Sequence, residues 1–254
     1  MKKPLQGKRI VVTRNEPQAS AFARDIQARG GVPIIAPLIR IACTYDREKI
    51  KTLQTYEWII FTSANGVRCF HKALQENDAG DVMKRARIAT VGSKTAAALH
   101  VFGRQADFIP SVYDAKTMAP EFVASQQPTG KVLIVHGRLS GTILQEDFQA
   151  AGIAFDCLEV YATLQNEEER PRLKEVTHQE IDVITFMSPS TVDAWMNMIP
   201  HPETFHEKIV VCIGSTTQKR ARERGFTNVY VPEVFTAEGM LTCMEQVIEK
   251  RGRG

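Results

Sequence analysis

The sequence lacks any long hydrophobic run. Its apolar stretches, such as Trp58-Ile59-Ile60-Phe61, fall far short of the ~18 residues that a membrane-spanning helix needs. A secretory core is also missing, because Ile10-Val11-Val12 is cut off by Thr13-Arg14. No membrane is therefore expected as a partner, and the cytoplasm is the expected location. Cysteine is sparse and badly spaced for a shared task. The five, at 43, 69, 157, 212 and 243, form no C-x-x-C pair. A disulfide framework and a zinc site are accordingly not expected, and the thiols read as small core residues in a reducing compartment. The six histidines show no metal spacing either, so no metal is expected. Charge of one sign is nearly absent in excess: 32 basic against 29 acidic residues leaves +3, too little to indicate a nucleic-acid partner. The motifs G-x-x-x-x-G-K-[ST], G-x-G-x-x-G after the first strand, G-x-S-x-G and H-E-x-x-H do not occur.

What is present is a 254-residue chain, 43% apolar, long enough for one large or two small cores. It repeats itself. Arg9–Thr13, Asp25–Ala28 and Gly30 return 122 residues later as Lys131–Val135, Asp147–Ala150 and Gly152. Val91–Thr95 returns as Ile213–Thr217 at the same offset, and Trp58–Ser63 as Val183–Ser188 at 125. This is the signature of internal duplication. Each copy alternates apolar strands with amphipathic helices. In the first, strands are expected near 9–13, 32–36, 58–61, 87–91 and 106–109, and helices near 18–29, 64–75, 93–101 and 115–125. That alternation predicts an α/β fold of two doubly wound parallel-sheet lobes with a cleft between them. A cut at Thr129-Gly130 would separate the copies. Two crossovers, near 37–41 and 159–163, would instead place the first ~36 residues with the C-terminal part. The residues alone leave both divisions open.

In such sheets ligands bind beyond the carboxyl ends of strands. Those positions carry small polar residues at helix starts: Thr62–Gly66, Gly92–Thr95, His136–Arg138, Ser188–Thr191, Gly214–Thr217 and Thr236–Gly239. A single such turn is usually only an N-cap. Several, recurring in both copies, point free N–H groups at a ligand with several negative groups. His136 is the one histidine at a predicted strand end, and Arg14, after the first strand, suits an anion. Tyr161 stands where the first copy has Ile39, and a phenol there can give a proton to a departing oxygen. Thr236 stands where the first copy has Asp114, replacing a group that would repel a carboxylate with one that can bind it.

Taken in order, Thr13-Arg14, Phe61–Val67, Val91–Ala96, Val160-Tyr161, Phe186–Ser190, Ile213–Thr217 and Thr236–Met240 resemble the uroporphyrinogen-III synthase family, across nearly the whole chain. The resemblance implies two α/β lobes joined by a two-stranded β linker: 1–36 with 164–254, and 39–160, with linkers near 37–38 and 161–163. It implies cyclisation of hydroxymethylbilane to uroporphyrinogen III, with inversion of ring D, loss of water and no cofactor. Tyr161 would be the catalytic acid. Ser63, Thr95, Ser188, Ser190, Thr217 and Thr236 would bind the substrate's eight carboxylates, with Arg14, Asn65 and His136 completing the candidate set. A monomer is implied, and a transient association with hydroxymethylbilane synthase is an open expectation. Two rival classes are a two-lobed binding protein for an anionic metabolite, which would not need Tyr161, and a nucleotide-dependent transferase, which should show a D-x-D pair that no predicted strand end carries.

Overall fold

A computed structural model describes residues 3–16, 18–53 and 56–252. The chain opens with β1 (Arg9–Val12), α1 (Gln18–Ala28) and β2 (Val32–Ile35). Next come β3 (Ile39–Cys43), α2 (Arg47–Lys51), β4 (Trp58–Phe61), α3 (Ala64–Glu76), α4 (Val82–Arg85), β5 (Arg87–Thr90), α5 (Ser93–His100), α6 (Ala115–Gln126), β6 (Val132–Gly137), α7 (Ile143–Ala150) and the long β7 (Phe155–Gln165). The chain ends with α8 (Arg170–Thr177), β8 (Val183–Phe186), α9 (Pro189–Met198), β9 (Ile209–Cys212), α10 (Ser215–Glu223), β10 (Val229–Tyr230) and α11 (Ala237–Gly252).

These elements form two compact units. One comprises the residues up to Arg40 and from Leu164 onward; the other is Ile41–Thr163. The chain changes unit inside β3 and inside β7. The first passage lies just after the linker expected near 37–38, and the second at the end of the one expected near 161–163. Hydrogen bonds from Thr44 N–H to Val160 O (3.0 Å) and from Asn166 N–H to Leu38 O (2.9 Å) show that the two strands run antiparallel.

In the first unit the strands lie in the order β10-β9-β8-β1-β2, all parallel. Successive β1 residues serve opposite faces. Val11 packs with Phe186, Trp195 and Leu173 under α8, α9 and α10, whereas Ile10 and Val12 pack with Phe22, Ile26, Met240 and Met244 under α1 and α11. A strand covered on both sides has no polar face, so it reads as an unbroken apolar run. The second unit has the order β3-β7-β6-β4-β5, and β7-β6-β4-β5 are parallel. Ile59, Phe61, Leu133 and Val135 face α3, α4 and α5, while Trp58, Ile60, Val132 and Ile134 face α6 and α7. The repeated segments take the same places in both sheets: β6 answers to β1, β4 to β8, and β5 to β9. The strand expected at 106–109 is only a bridge between Ala89 and Phe108. It lies at the sheet edge and runs into Pro110, which has no N–H to extend a ladder.

The cysteines require a correction. Cys43 of β3 and Cys69 of α3 are joined in a disulfide, with Cα atoms 5.2 Å apart. Spacing in sequence could not show this, because the packing of α3 against the β3 edge closes the 26-residue gap. Cys212 and Cys243 are buried and free, as small core residues are. Burial raises the Cys212 thiol pKa to about 12. No helix among the described residues is long and apolar enough to cross a membrane, and no three His, Cys, Asp or Glu side chains cluster as metal ligands would.

Candidate active site

Tyr161 is set by an irregularity in the second sheet. Along β6 and β7 the register runs His136 with Glu159, then Gly137 with Tyr161, skipping Val160. The extra residue is a bulge, which re-aims the side chain that follows it. Tyr161 O accepts the Arg138 N–H at 2.9 Å, pinning the backbone at that point. The ring of Tyr161 then lies directly over Gly137. A Cβ on that glycine would be 2.3 Å from Cζ and 2.6 and 2.8 Å from Cε2 and Cε1 of the tyrosine. Only a residue without a side chain leaves room for the ring.

The phenol points at the start of α3. Its oxygen is 3.0 Å from Ser63 Oγ. Ser63 is the N-cap of that helix and accepts the Gly66 N–H at 3.0 Å. Because either hydroxyl can be the donor in the pair, Ser63 can give its proton to the tyrosine oxygen and leave the phenol proton free for another acceptor. Asn65, in the first turn, accepts from Arg68 at 3.1 Å. His136 is half-buried beside Gly137, with Nδ1 2.9 Å from the Gly137 carbonyl.

The remaining candidates occupy helix starts at strand carboxyl ends in both units. Ser188 caps α9 in a reciprocal pair with Thr191, and its Oγ lies 2.8 Å from Ser190 Oγ. The helices α5 and α10 begin differently. Their N-caps are Gly92 and Gly214, and neither receives a side-chain cap. The amides of Ser93 and Lys94, and of Ser215 and Thr216, have no acceptor among the described residues. Thr95 and Thr217 sit behind these turns, 6% and 1% exposed, and neither hydroxyl makes a hydrogen bond among the described residues. Thr236 caps α11, accepting the Gly239 N–H at 3.0 Å, and the hydroxyl proton remains free to donate.

Arg14 follows β1, half-buried. Desolvation lowers the pKa of its guanidinium. It has no hydrogen bond or ion pair among the described residues. A desolvated cation without a partner favours an anion beside it.

Tyr161 and Ser63 are thus brought into contact, whereas Ser188 and Ser190 pair with each other on the other unit. Gly137 was missed by sequence reasoning. Its role depends on the bulge, and no local pattern announces a bulge that joins strands 24 positions apart.

Residues 20–242 match the family model described as uroporphyrinogen-III synthase HemD. The chain is 30% identical over 248 residues to a putative uroporphyrinogen-III synthase of Methanocaldococcus jannaschii, covering 95% of this chain and 100% of that one. It is 30% identical over 256 residues to the porphyrin biosynthesis protein HemD of Ruminiclostridium josui, covering 97% of this chain but only 50% of the length of that relative. Among solved structures, uroporphyrinogen III synthase mutant from Thermus thermophilus gives a TM-score of 0.65 at 19% identity, covering 96% of this chain and 100% of that one. The uroporphyrinogen-III synthetase of Helicobacter pylori gives 0.67 at 16%, covering 95% and 100%. At such identities the likeness is one of fold.

Proposed function

Because the chain belongs to the uroporphyrinogen-III synthase family, we propose that Tyr161 is the acid that begins its reaction. The family's enzymes, which are lyases, cyclise hydroxymethylbilane to uroporphyrinogen III in tetrapyrrole biosynthesis. The first step expels the hydroxyl of the hydroxymethyl group. Tyr161 gives its proton to that oxygen, the pyrrole nitrogen pushes, and the departure of water leaves an electrophilic azafulvenium cation. Ser63 donates to the tyrosine oxygen as negative charge grows there. The substituted carbon of the last ring then attacks. The resulting spiro centre fragments and recloses with that ring turned over, and the proton lost in rearomatisation balances the one given at the start. The rest is positioning: the chain has to be folded so that direct closure is blocked.

One observation carries this reading: the phenol of Tyr161 is held over Gly137 and against the cap of α3. On the same reading the unpaired Arg14, His136 and the amide-rich turns at Ser63, Asn65, Thr95, Ser188, Ser190, Thr217 and Thr236 take carboxylates. The working form is a cytoplasmic monomer that receives its substrate through transient contact with hydroxymethylbilane synthase.

A coupled assay tests the reaction. Hydroxymethylbilane is generated in situ, the protein is added, and the oxidised porphyrins are separated by isomer. Free bilane closes to the symmetric isomer I, so a protein-dependent swing to isomer III is expected. Tyr161→Phe should slow turnover by about one to three orders of magnitude in a folded protein. Isomer I alone from folded wild type sinks the activity, and near wild-type turnover by the phenylalanine variant sinks the role of Tyr161.

A further inference from the structure

Two loops outside the described acid pair present aromatic rings to solvent. Tyr113 is 61% exposed and Phe235 is 55% exposed, each after an exposed valine, Val112 or Val234. The two aromatics are 122 residues apart, the offset of the repeat. Their backbones are alike as well. Asp114 N–H bonds to Val112 O at 2.8 Å, and Thr236 N–H to Val234 O at 2.7 Å, a tight three-residue turn in each unit. The next residue then caps a helix: Asp114 caps α6 and Thr236 caps α11. Each aromatic is therefore fixed at its base between a turn and a cap while its ring stays bare.

Each also lies against an uncapped helix start. A Cβ on Gly92 would be 3.3 Å from Tyr113 Cβ, and one on Gly214 would be 3.3 Å from Phe235 Cδ2. Beside Tyr113 are the free amides of Ser93 and Lys94; beside Phe235 are those of Ser215 and Thr216. Behind each turn stands a threonine more than nine-tenths buried, Thr95 or Thr217, whose hydroxyl has no hydrogen-bond partner among the described residues. The Lys94 ammonium is unpaired among the described residues. A flat apolar face next to an amide cradle matches one chemistry: an aromatic ring that carries a carboxylate arm.

We propose that Tyr113 and Phe235 are ring platforms, each stacking a pyrrole whose acetate or propionate arm reaches the adjoining amides. This rests on the proposed function for the identity of the ring, though not for its class. Stacking at such a face contributes about 0.5–1.5 kcal/mol, or about two- to tenfold in affinity.

The test uses the full chain with Tyr113→Ala and Phe235→Ala, and with Tyr113→Phe and Phe235→Tyr, which keep a ring. Binding of uroporphyrin, a stable octacarboxylate, is followed by fluorescence, and KM and kcat are measured for in situ hydroxymethylbilane. Each alanine variant should weaken binding and raise KM by about two- to tenfold with kcat nearly unchanged, and each ring-keeping variant should restore both. Val101→Ser, which alters an exposed apolar residue at the far end of α5, should change neither. Unchanged uroporphyrin affinity in both alanine variants overturns the proposal, as does an equal loss in Val101→Ser. If wild type makes no isomer III but still binds uroporphyrin through these rings, the reaction falls and the platforms stand.

Discussion

Gly137→Ala separates the position of Tyr161 from the chemistry proposed for it. The added Cβ would sit 2.3 Å from Tyr161 Cζ. Carbon atoms prefer about 3.5–4.0 Å, so the ring has to move by roughly 1.2 Å or more. The three atoms nearest to that Cβ all belong to the ring, so the ring takes the clash first. Tyr161 is only half-buried, so the ring can swing and the fold should be spared. The hydroxyl now 3.0 Å from Ser63 Oγ is carried out of hydrogen-bond range. A misplacement of about 1 Å costs up to ~10²-fold in rate, and removal of the acid sets the ceiling. Turnover should therefore fall by about ten- to a hundredfold, with a melting temperature near that of wild type. The decisive assay is a double-mutant cycle on isomer III formation. In a Tyr161→Phe background there is no hydroxyl left to misplace, so Gly137→Ala should add less than about twofold. An equal effect in both backgrounds would refute the argument, as would a folded Gly137→Ala enzyme with wild-type turnover.

Two further outcomes concern stability. Opening the Cys43–Cys69 bond releases a loop of 26-residue separation, which by chain entropy lowers stability by about 3.5 kcal/mol; urea unfolding with and without dithiothreitol measures it, and five titratable thiols in protein unfolded without reductant would show that the bond is not there. Asp193 of α9 is contacted by Arg220 at 2.8 Å and Arg224 at 2.7 Å. Burial alone would raise its pKa, but hydrogen bonds and charge from the two arginines outweigh that and leave it below the usual value. Its contribution is therefore present above about pH 4 and is lost as pH falls through the lowered value. At about a third exposed, the site should contribute only about 1 kcal/mol. Asp193→Asn should be less stable than wild type at pH 6, and the gap should close at pH 3; a gap independent of pH would contradict the assignment.

Much of the molecule is legible in the residues themselves. The runs at 9–12, 58–61 and 183–186 become central strands, because an apolar stretch of that length between turn residues buries both faces in a parallel sheet. Ser63 and Ser188 start helices because a hydroxyl there satisfies an amide three residues on. The 122-residue offset predicts two sheets of the same plan, and the order of the motifs led to Tyr161. These signals act over one to four residues, or over a period written in the sequence. The tertiary structure alone decided the rest. It paired Cys43 with Cys69, half-buried Arg14 without a partner among the described residues, and slipped β7 by one residue so that Tyr161 lands on Gly137. Each of these depends on which surfaces meet when the sheets and helices pack, and a contact between residues far apart in the chain leaves no mark on the local pattern of either.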